Sequence, residues 1–417
     1  MSLKDKNFFS RPLSYYTWQR LLKNKLAIFG MVVIGLSIIV AVLGYSITPD
    51  SSPNCNTELL ELAIKPPGFM VKILLKRKND EAHPASFFKK MASGENSDYS
   101  EIPIYDYRFQ GSDIIYEEYT GSTPNDGSEI KVSMADLVYA IDDTKPQKYD
   151  EQSHTVSFYE LNIQDIITKP VAELRAEIEK NNIVDRTYLL GTDRSGRDML
   201  SRLMIGTRVS LAVGFISVII SLVIGVFLGS VAGFFRGIVD EVIMWLINVV
   251  WSIPTLMLVI AITLALGKGF WQVFIAVGLT MWVEVARVIR GQVISLREKE
   301  FVEAGRALGY SDARIIIKHI IPNVLGPIIV ISASNFASAI LVEAGLSFLG
   351  IGAQPPTASW GSMINAHRGY IIVDAAYLAF IPGLAIMILV LAFMLLGNAL
   401  RDALDTKDFD SDHSVGY

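Results

Sequence analysis

The C-terminal half of this chain is strongly apolar, and its charges gather in one stretch, Glu300 to Pro327. Glu300, Glu303 and Arg306 stand beside the small residues Ala304, Gly305 and Ala307. That combination suits docking: small side chains let a second protein approach the backbone closely, and the charges fix the register. Charged residues inside the apolar runs are the other candidates, because a charge in hydrocarbon is costly and usually faces a bundle interior or a water path. Glu343, with Ser347 one turn later, lies well inside such a run, and Glu284 and Arg287 lie near the end of another. Two readings of Glu343 stand side by side: a residue that lines or gates a path, or a structural hydrogen bond or ion pair between helices.

Other chemistry is missing. No Gly-x-x-x-x-Gly-Lys-Ser/Thr string occurs, so the chain does not cradle nucleotide phosphates that way. His83, His154, His319, His367 and His413 have no metal-ligand spacing, and there is no Gly-x-Ser-x-Gly nucleophile motif. Cys55 is the single cysteine, which excludes an intrachain disulfide and a thiolate metal cluster. These residues lead us to expect a non-catalytic chain with no metal and no cofactor of its own.

The charged stretch needs elements to hold it. The sequence predicts a short helix from about Lys299 to Leu308, with Gly309 as a left-handed cap. Ser311 is a natural N-cap for a second helical run, Asp312 to Ile320, which Pro322 is expected to end. Helix, glycine break, helix and proline make an elbow at a membrane face.

The chain has 417 residues, 51% of them hydrophobic, and a mean hydropathy of +0.38, too high for an ordinary soluble protein. Its apolar residues are unevenly spread. Pro49 to Arg186 carries 25 acidic against 15 basic residues and reads as soluble; its net −10 leaves the membrane-rich remainder at +5 against a total of −5. The pI of 5.7 averages two unlike parts and gives no ground for a nucleic-acid partner.

In order, residues 1–25 form a basic segment with Lys4, Lys6, Arg11, Arg20, Lys23 and Lys25, expected to be cytoplasmic. Residues 26–47 form a first span, long enough for a hydrocarbon core of roughly 30 Å. Residues 48–187 are read as an inserted extracytoplasmic α+β domain, with strands at Phe69 to Leu75 and Thr155 to Leu161 and a helix at Val171 to Lys180. Pro66-Pro67-Gly68 and Tyr105 to Phe109 could mark a binding surface there; a spacer or a partner-docking surface fits equally. Residues 188–208 hold Gly191, Thr192, Asp193, Gly196, Arg197 and Asp198, read as an interfacial turn and amphipathic helix; a local salt-bridged cap is the alternative. Residues 209–400 form a core with spans at Val209–Phe235, Val242–Leu266 (kinked at Pro254), Phe270–Ile289, Val324–Gly350 and Ala375–Gly397. Residues 290–323 are the cytoplasmic loop and 401–417 a cytoplasmic tail, giving six helices with both termini inside.

Several strings resemble one family. Glu303-Ala304-Gly305, Gly309 and Ile321-Pro322 look like the EAA loop of bacterial ABC importer permeases, with Gly305 and His319 departing from the general pattern. His319-Ile320-Ile321-Pro322-Asn323 is typical of the peptide-importer branch. Trp18, Arg20, Leu21 and Asn24 to Ala27, Leu190 to Asp198, Glu343 to Gly350, Gln354-Pro355-Pro356, Ser359-Trp360-Gly361, Pro382 to Ile386 and Leu400 to Asp405 resemble the C-type transmembrane subunit of oligopeptide and dipeptide importers. Met394, Asn398, Ala399 and Thr406 depart from it. The resemblance covers 11–47 and 188–406 and leaves out the insertion.

It implies a mainly α, six-helix permease of the type I ABC importer fold in the bacterial inner membrane, translocating dipeptides or oligopeptides. Glu303, Ala304, Gly305, Gly309, His319, Pro322 and Asn323 would couple it to two cytoplasmic ATPase subunits, which hold the ATP and Mg. A homologous permease subunit would complete a heterodimer, and an extracytoplasmic solute-binding protein would deliver substrate. Related subunits carry nickel chelates or glutathione, which remain alternatives. An ion-coupled secondary transporter is the rival of a different class, and a receptor using 49–186 as sensor is another.

Overall fold

The computed structural model describes residues 13–404, except 81–85, 122–123, 125–126, 162–164 and 268. The expectations for residues 1–12 and for the tail beyond Leu404 lie outside the described residues, as do His83 and His413. The chain divides into two compact units. One comprises Met1–Ala41, Gly206–Arg368 and Ala379–Tyr417, the other Val42–Ile205 and Gly369–Leu378.

Helices α1 (Leu13–Lys23) and α2 (Lys25–Leu43) meet at Asn24, whose side-chain oxygen accepts the Leu26 and Ala27 N–H groups and so caps α2. A single 3-10 turn, Gly44–Ser46, closes the first span.

The second unit is built on strands. β1 (Phe69–Arg77) leads to α3 (Phe87–Ser93), then β2 (Tyr99–Gln110), β3 (Asp113–Glu118), β4 (Glu129–Ser133) and α4 (Met134–Val138). β5 (Lys148–Asp150), β6 (Thr155–Tyr159) and β7 (Ile166–Pro170) follow, then α5 (Val171–Glu177) and β8 (Ile183–Tyr188). The larger sheet is antiparallel with order β4-β3-β2-β1-β8, and β5-β6-β7 form a second sheet. Leu74, Ile104, Ile114, Met134, Leu137, Phe158, Leu174 and Ile178 supply the core under α4 and α5. The buried Asn182 amide donates to the carbonyls of Leu75 (2.8 Å) and Leu137 (2.9 Å), tying sheet to helix. An α+β insertion is thus present, and its unit is wider than 48–187. It takes in the Leu190–Ile205 stretch, and the Tyr377 hydroxyl donates to the Lys65 carbonyl at 2.8 Å.

The remaining helices are α6 (Met199–Phe235), α7 (Gly237–Trp251), α8 (Thr255–Leu266), α9 (Phe270–Arg297), α10 (Glu300–Ala307), α11 (Asp312–Ile315), α12 (Leu325–Phe348), α13 (Trp360–His367) and α14 (Tyr377–Leu404). Among the described residues, five helical stretches are long and apolar enough to cross a membrane, or six if the bent pair α7 and α8 is one span. That pair departs from the expected kink: Pro254 caps α8, and the axes turn by 91° across Ser252–Pro254. Pro322 departs the other way. The chain stays helical from Asp312 to Phe348, passing through a wide π-type turn at Ile316–Ile320 and a 3-10 turn at Ile321–Val324. Those local changes accommodate a residue that lacks an N–H and would clash in a regular α-helix.

The α6–α9 contact shows how the bundle closes. A Cβ added at Gly225 would sit 2.5 Å from the Val285 Cβ, and one at Gly229 would sit 2.5 Å from the Ala286 carbonyl. The backbones are too close for any larger residue, which is the tight packing that small residues allow in lipid.

Candidate functional site

The elbow is built from its caps. In α10 the Tyr310 N–H donates to the Gly305 carbonyl (3.0 Å) and the Gly309 N–H to that of Arg306 (2.9 Å), the paired bonds of a Schellman cap. Gly309 has φ +74, as its role requires. Ser311 caps α11, its hydroxyl accepting the Arg314 N–H at 3.4 Å.

One face of the elbow turns inward. Val302, Ile315, Ile316 and Ile320 are buried with Phe234 of α6 and Val285, Ile289 and Val293 of α9. Gly305 belongs to this inner face: it is buried, and a Cβ there would lie 3.6 Å from Ile315 and Tyr310. Its position faces the chain's own Ile315 and Tyr310, at ordinary contact distance for a Cβ. Tyr310 stacks on His319, with centroids 5.8 Å apart, and carries the Arg314 guanidinium 4.0 Å over its ring. The Asn323 amide donates to the His319 carbonyl at 2.6 Å. The outer face presents Glu300, Glu303, Ala304, Arg306 and Ala307, all exposed. The structure thus gathers all seven elbow candidates into one folded piece, with Glu303 and Ala304 facing out and Gly305 facing in.

Charged pairs the sequence did not pair up brace the same end. Arg290 holds Asp240 through two bonds of 2.5 and 2.6 Å, tying α9 to the start of α7. The Arg287 guanidinium lies 3.3 Å over the Trp251 ring, while Glu284 is exposed.

Glu343 and Ser347 sit elsewhere in the bundle, both buried. The Ser347 hydroxyl donates to Glu343 Oε1 at 2.6 Å and accepts the Ala353 N–H at 3.0 Å. A Cβ at Gly361 of α13 would come within 2.4 Å of the Ala344 carbonyl. The arrangement is a buried hydrogen-bonded corner joining α12 to the turn before α13.

The Gly191–Asp198 motif makes no separate amphipathic helix. Thr192 donates its hydroxyl to the Leu62 carbonyl and accepts the Lys65 N–H at 2.8 Å. The buried Asp193 accepts from Arg197 Nε at 2.7 Å and from the N–H groups of Ser195 (2.8 Å) and Arg197 (3.1 Å). Arg197 reaches Asn56 at 2.9 Å. Asp198 accepts the Ser201 N–H (2.8 Å) and hydroxyl (2.5 Å) at the start of α6; burial pushes its carboxyl up, opposed by those bonds. A Cβ at Gly196 (φ +73) would collide with the Leu59 carbonyl. The local salt-bridged reading describes Asp193 and Arg197, and the motif's partners lie in residues 54–65. Cys55 is buried in the same knot, where burial and the charge of Asp50 push its thiol up to about 12.

Apolar helices of membrane-crossing length and an elbow that turns between two of them define a polytopic helical membrane protein. Residues 225–407 match the family described as binding-protein-dependent transport system inner membrane component, and residues 13–66 match the N-terminal TM domain of oligopeptide transport permease C. A glutathione transport system permease protein, GsiD of Pectobacterium atrosepticum, is 41% identical over 53% of this chain and 73% of its own length. A dipeptide transport system permease protein, DppC of Alkalihalophilus pseudofirmus, is 42% identical over 53% and 72%. An oligopeptide transport system permease protein, OppC of Bacillus subtilis, is 39% identical over 53% and 72%. The chain belongs to the family of binding-protein-dependent transport system inner membrane components.

Proposed function

We propose that this chain is a non-catalytic transmembrane subunit of an ATP-driven importer, passing peptides inward across a bacterial inner membrane. The observation that carries the coupling is the elbow: an exposed face of Glu303, Ala304, Arg306 and Ala307 on a helix whose inner face is packed on α6 and α9. A push on that face reaches the spans through packed side chains. Two cytoplasmic ATPases, holding ATP and Mg, would supply the push. A homologous permease would complete the pathway, and an extracytoplasmic binding protein would deliver the solute. The 39–42% identity to permeases named for dipeptides, oligopeptides and glutathione, itself a tripeptide, supports a peptide-class solute. The basic Arg290–Pro322 region favours the cytoplasm for the elbow and for both termini, and the outside for the insertion. Glu343 and Ser347 would act on translocation by holding α13 in place. The test is peptide uptake and ATPase co-purification by Glu303→Lys and Ala304→Trp at matched membrane levels. Loss of both with normal insertion is expected; full uptake by the double variant would refute the coupling role.

A further inference from the structure

Helix α3 is an anomaly in an otherwise water-facing domain. Phe87 and Phe88 are 62% and 73% exposed, their rings edge to face with centroids 5.8 Å apart. Lys89 beside them is exposed, and Lys90 pairs with Glu95 at 3.0 Å. Two neighbouring large aromatics left in water are a cost that a folded domain usually avoids, and such a patch marks a contact surface.

Position says which contact. α3 packs beside the Gly44–Ser46 turn, with Cα atoms within 8 Å, and that turn is the last of the apolar stretch Lys25–Ser46. Twenty-two residues at about 1.5 Å each come close to a hydrocarbon core of roughly 30 Å, so Ser46 stands at a membrane–water boundary. The other end of α3 is fixed just past the same point: the Glu95 N–H donates to the Ser51 carbonyl at 2.9 Å. A Cβ at the buried Gly94 (φ +77) would meet that carbonyl at 2.8 Å. Two exposed phenyl rings and an exposed lysine, held against the end of a span, have the chemistry of an interfacial anchor: rings in the acyl–headgroup boundary, ammonium toward phosphate.

We infer that Phe87 and Phe88 of α3 insert into the lipid headgroup boundary and anchor the inserted domain to the bilayer surface, with Lys89 facing lipid phosphate. The inference rests on the membrane-spanning character of α2 and not on the identity of the solute.

The test uses the full chain in nanodiscs. Phe88→Cys carries an environment-sensitive nitrobenzoxadiazole label, with Ser128→Cys on the exposed strand connection as control; the native Cys55 is buried and its thiol is pushed up to about 12, so it stays unlabelled at neutral pH. Label at 88 should emit blue-shifted and be quenched by nitroxides placed near the headgroups, while label at 128 is not. Placing Lys89→Glu behind the same label should weaken the quenching in discs containing anionic lipid. Equal, water-like emission and quenching at 88 and 128 would overturn the proposal. So would a shift at 88 that appears only when a binding protein or second permease is added, which would make α3 a protein-docking surface. Because Phe88→Cys removes a ring, Lys89→Cys carrying the same label and leaving both rings in place must show the same shallow quenching; a water-exposed signal there also counts against the anchor.

Discussion

Gly309 offers the sharpest perturbation of the elbow. A Cβ added there meets nothing within 4 Å, so the change acts chiefly through the backbone, held at φ +74. A left-handed conformation costs an L-residue about 1–2 kcal/mol, and a β-branched valine is among the residues least suited to it. That shifts the balance between capped and uncapped elbow by a factor of about 5–30. Relief of the strain would break the Tyr310–Gly305 and Gly309–Arg306 bonds and release Tyr310 from His319. Gly309→Val should therefore insert normally but co-purify poorly with the ATPases and lose most peptide uptake. Gly309→Asn, which tolerates this conformation, should keep most of both. The assay is uptake and pull-down at matched membrane levels. Full uptake by Gly309→Val, or equal impairment of the two variants, would refute the view that the cap geometry transmits force.

Other outcomes follow from the same contacts. Gly229→Val should lower the thermal midpoint in detergent by the equivalent of about 1–3 kcal/mol, since its Cβ would meet the Ala286 carbonyl, whereas Gly383→Ala, with open space around it, should be neutral. In a double-mutant cycle, Arg290→Ala and Asp240→Ala should show coupling of about 1 kcal/mol, because the pair is only partly exposed and doubly bonded. Ser347→Ala should destabilise by about 1–3 kcal/mol by removing the donor to the buried Glu343, measurable by chemical denaturation in detergent. Cys55 in the folded protein should resist maleimide at pH 7.5 and react after denaturation, its thiol being held protonated up to about 12. In intact cells an impermeant maleimide should therefore report only introduced cysteines, labelling Ser128→Cys and sparing Ser311→Cys.

The parts of the site that could be read from the chain are those fixed by neighbours in sequence. Gly309 and Ser311 were legible because a left-handed cap and an N-cap are decided within a few residues. The inward turn of Gly305 was not, because it follows from Val302 and Ile315 of the same face burying against Phe234 and Val293, which only the fold brings near. The Gly191–Asp198 motif looks like a surface turn by composition; its buried polar groups find partners more than a hundred residues earlier, Asn56 for Arg197 and Leu62 and Lys65 for the Thr192 hydroxyl. Prolines show the same limit. Pro254 sits at a 91° break and Pro322 in an unbroken helical path, and the difference lies in the wide turn that precedes Pro322.

The pairing of β1 with β8 bears on how an insertion of this size can be carried at all. Phe69 stands opposite Tyr188 and Leu74 opposite Ile183, so the chain leaves the domain beside the point where it entered. Closing a long flexible loop costs entropy that grows with its length, but here the sheet brings the ends together as part of its own folding. In terms of chain closure alone, everything from Leu74 to Ile183 is equivalent to a tight reversal between two strands. An Asn-Gly join of Leu74 to Ile183, which keeps residues 54–66 for the Thr192 and Asp193 knot, marks where such a cut would fall.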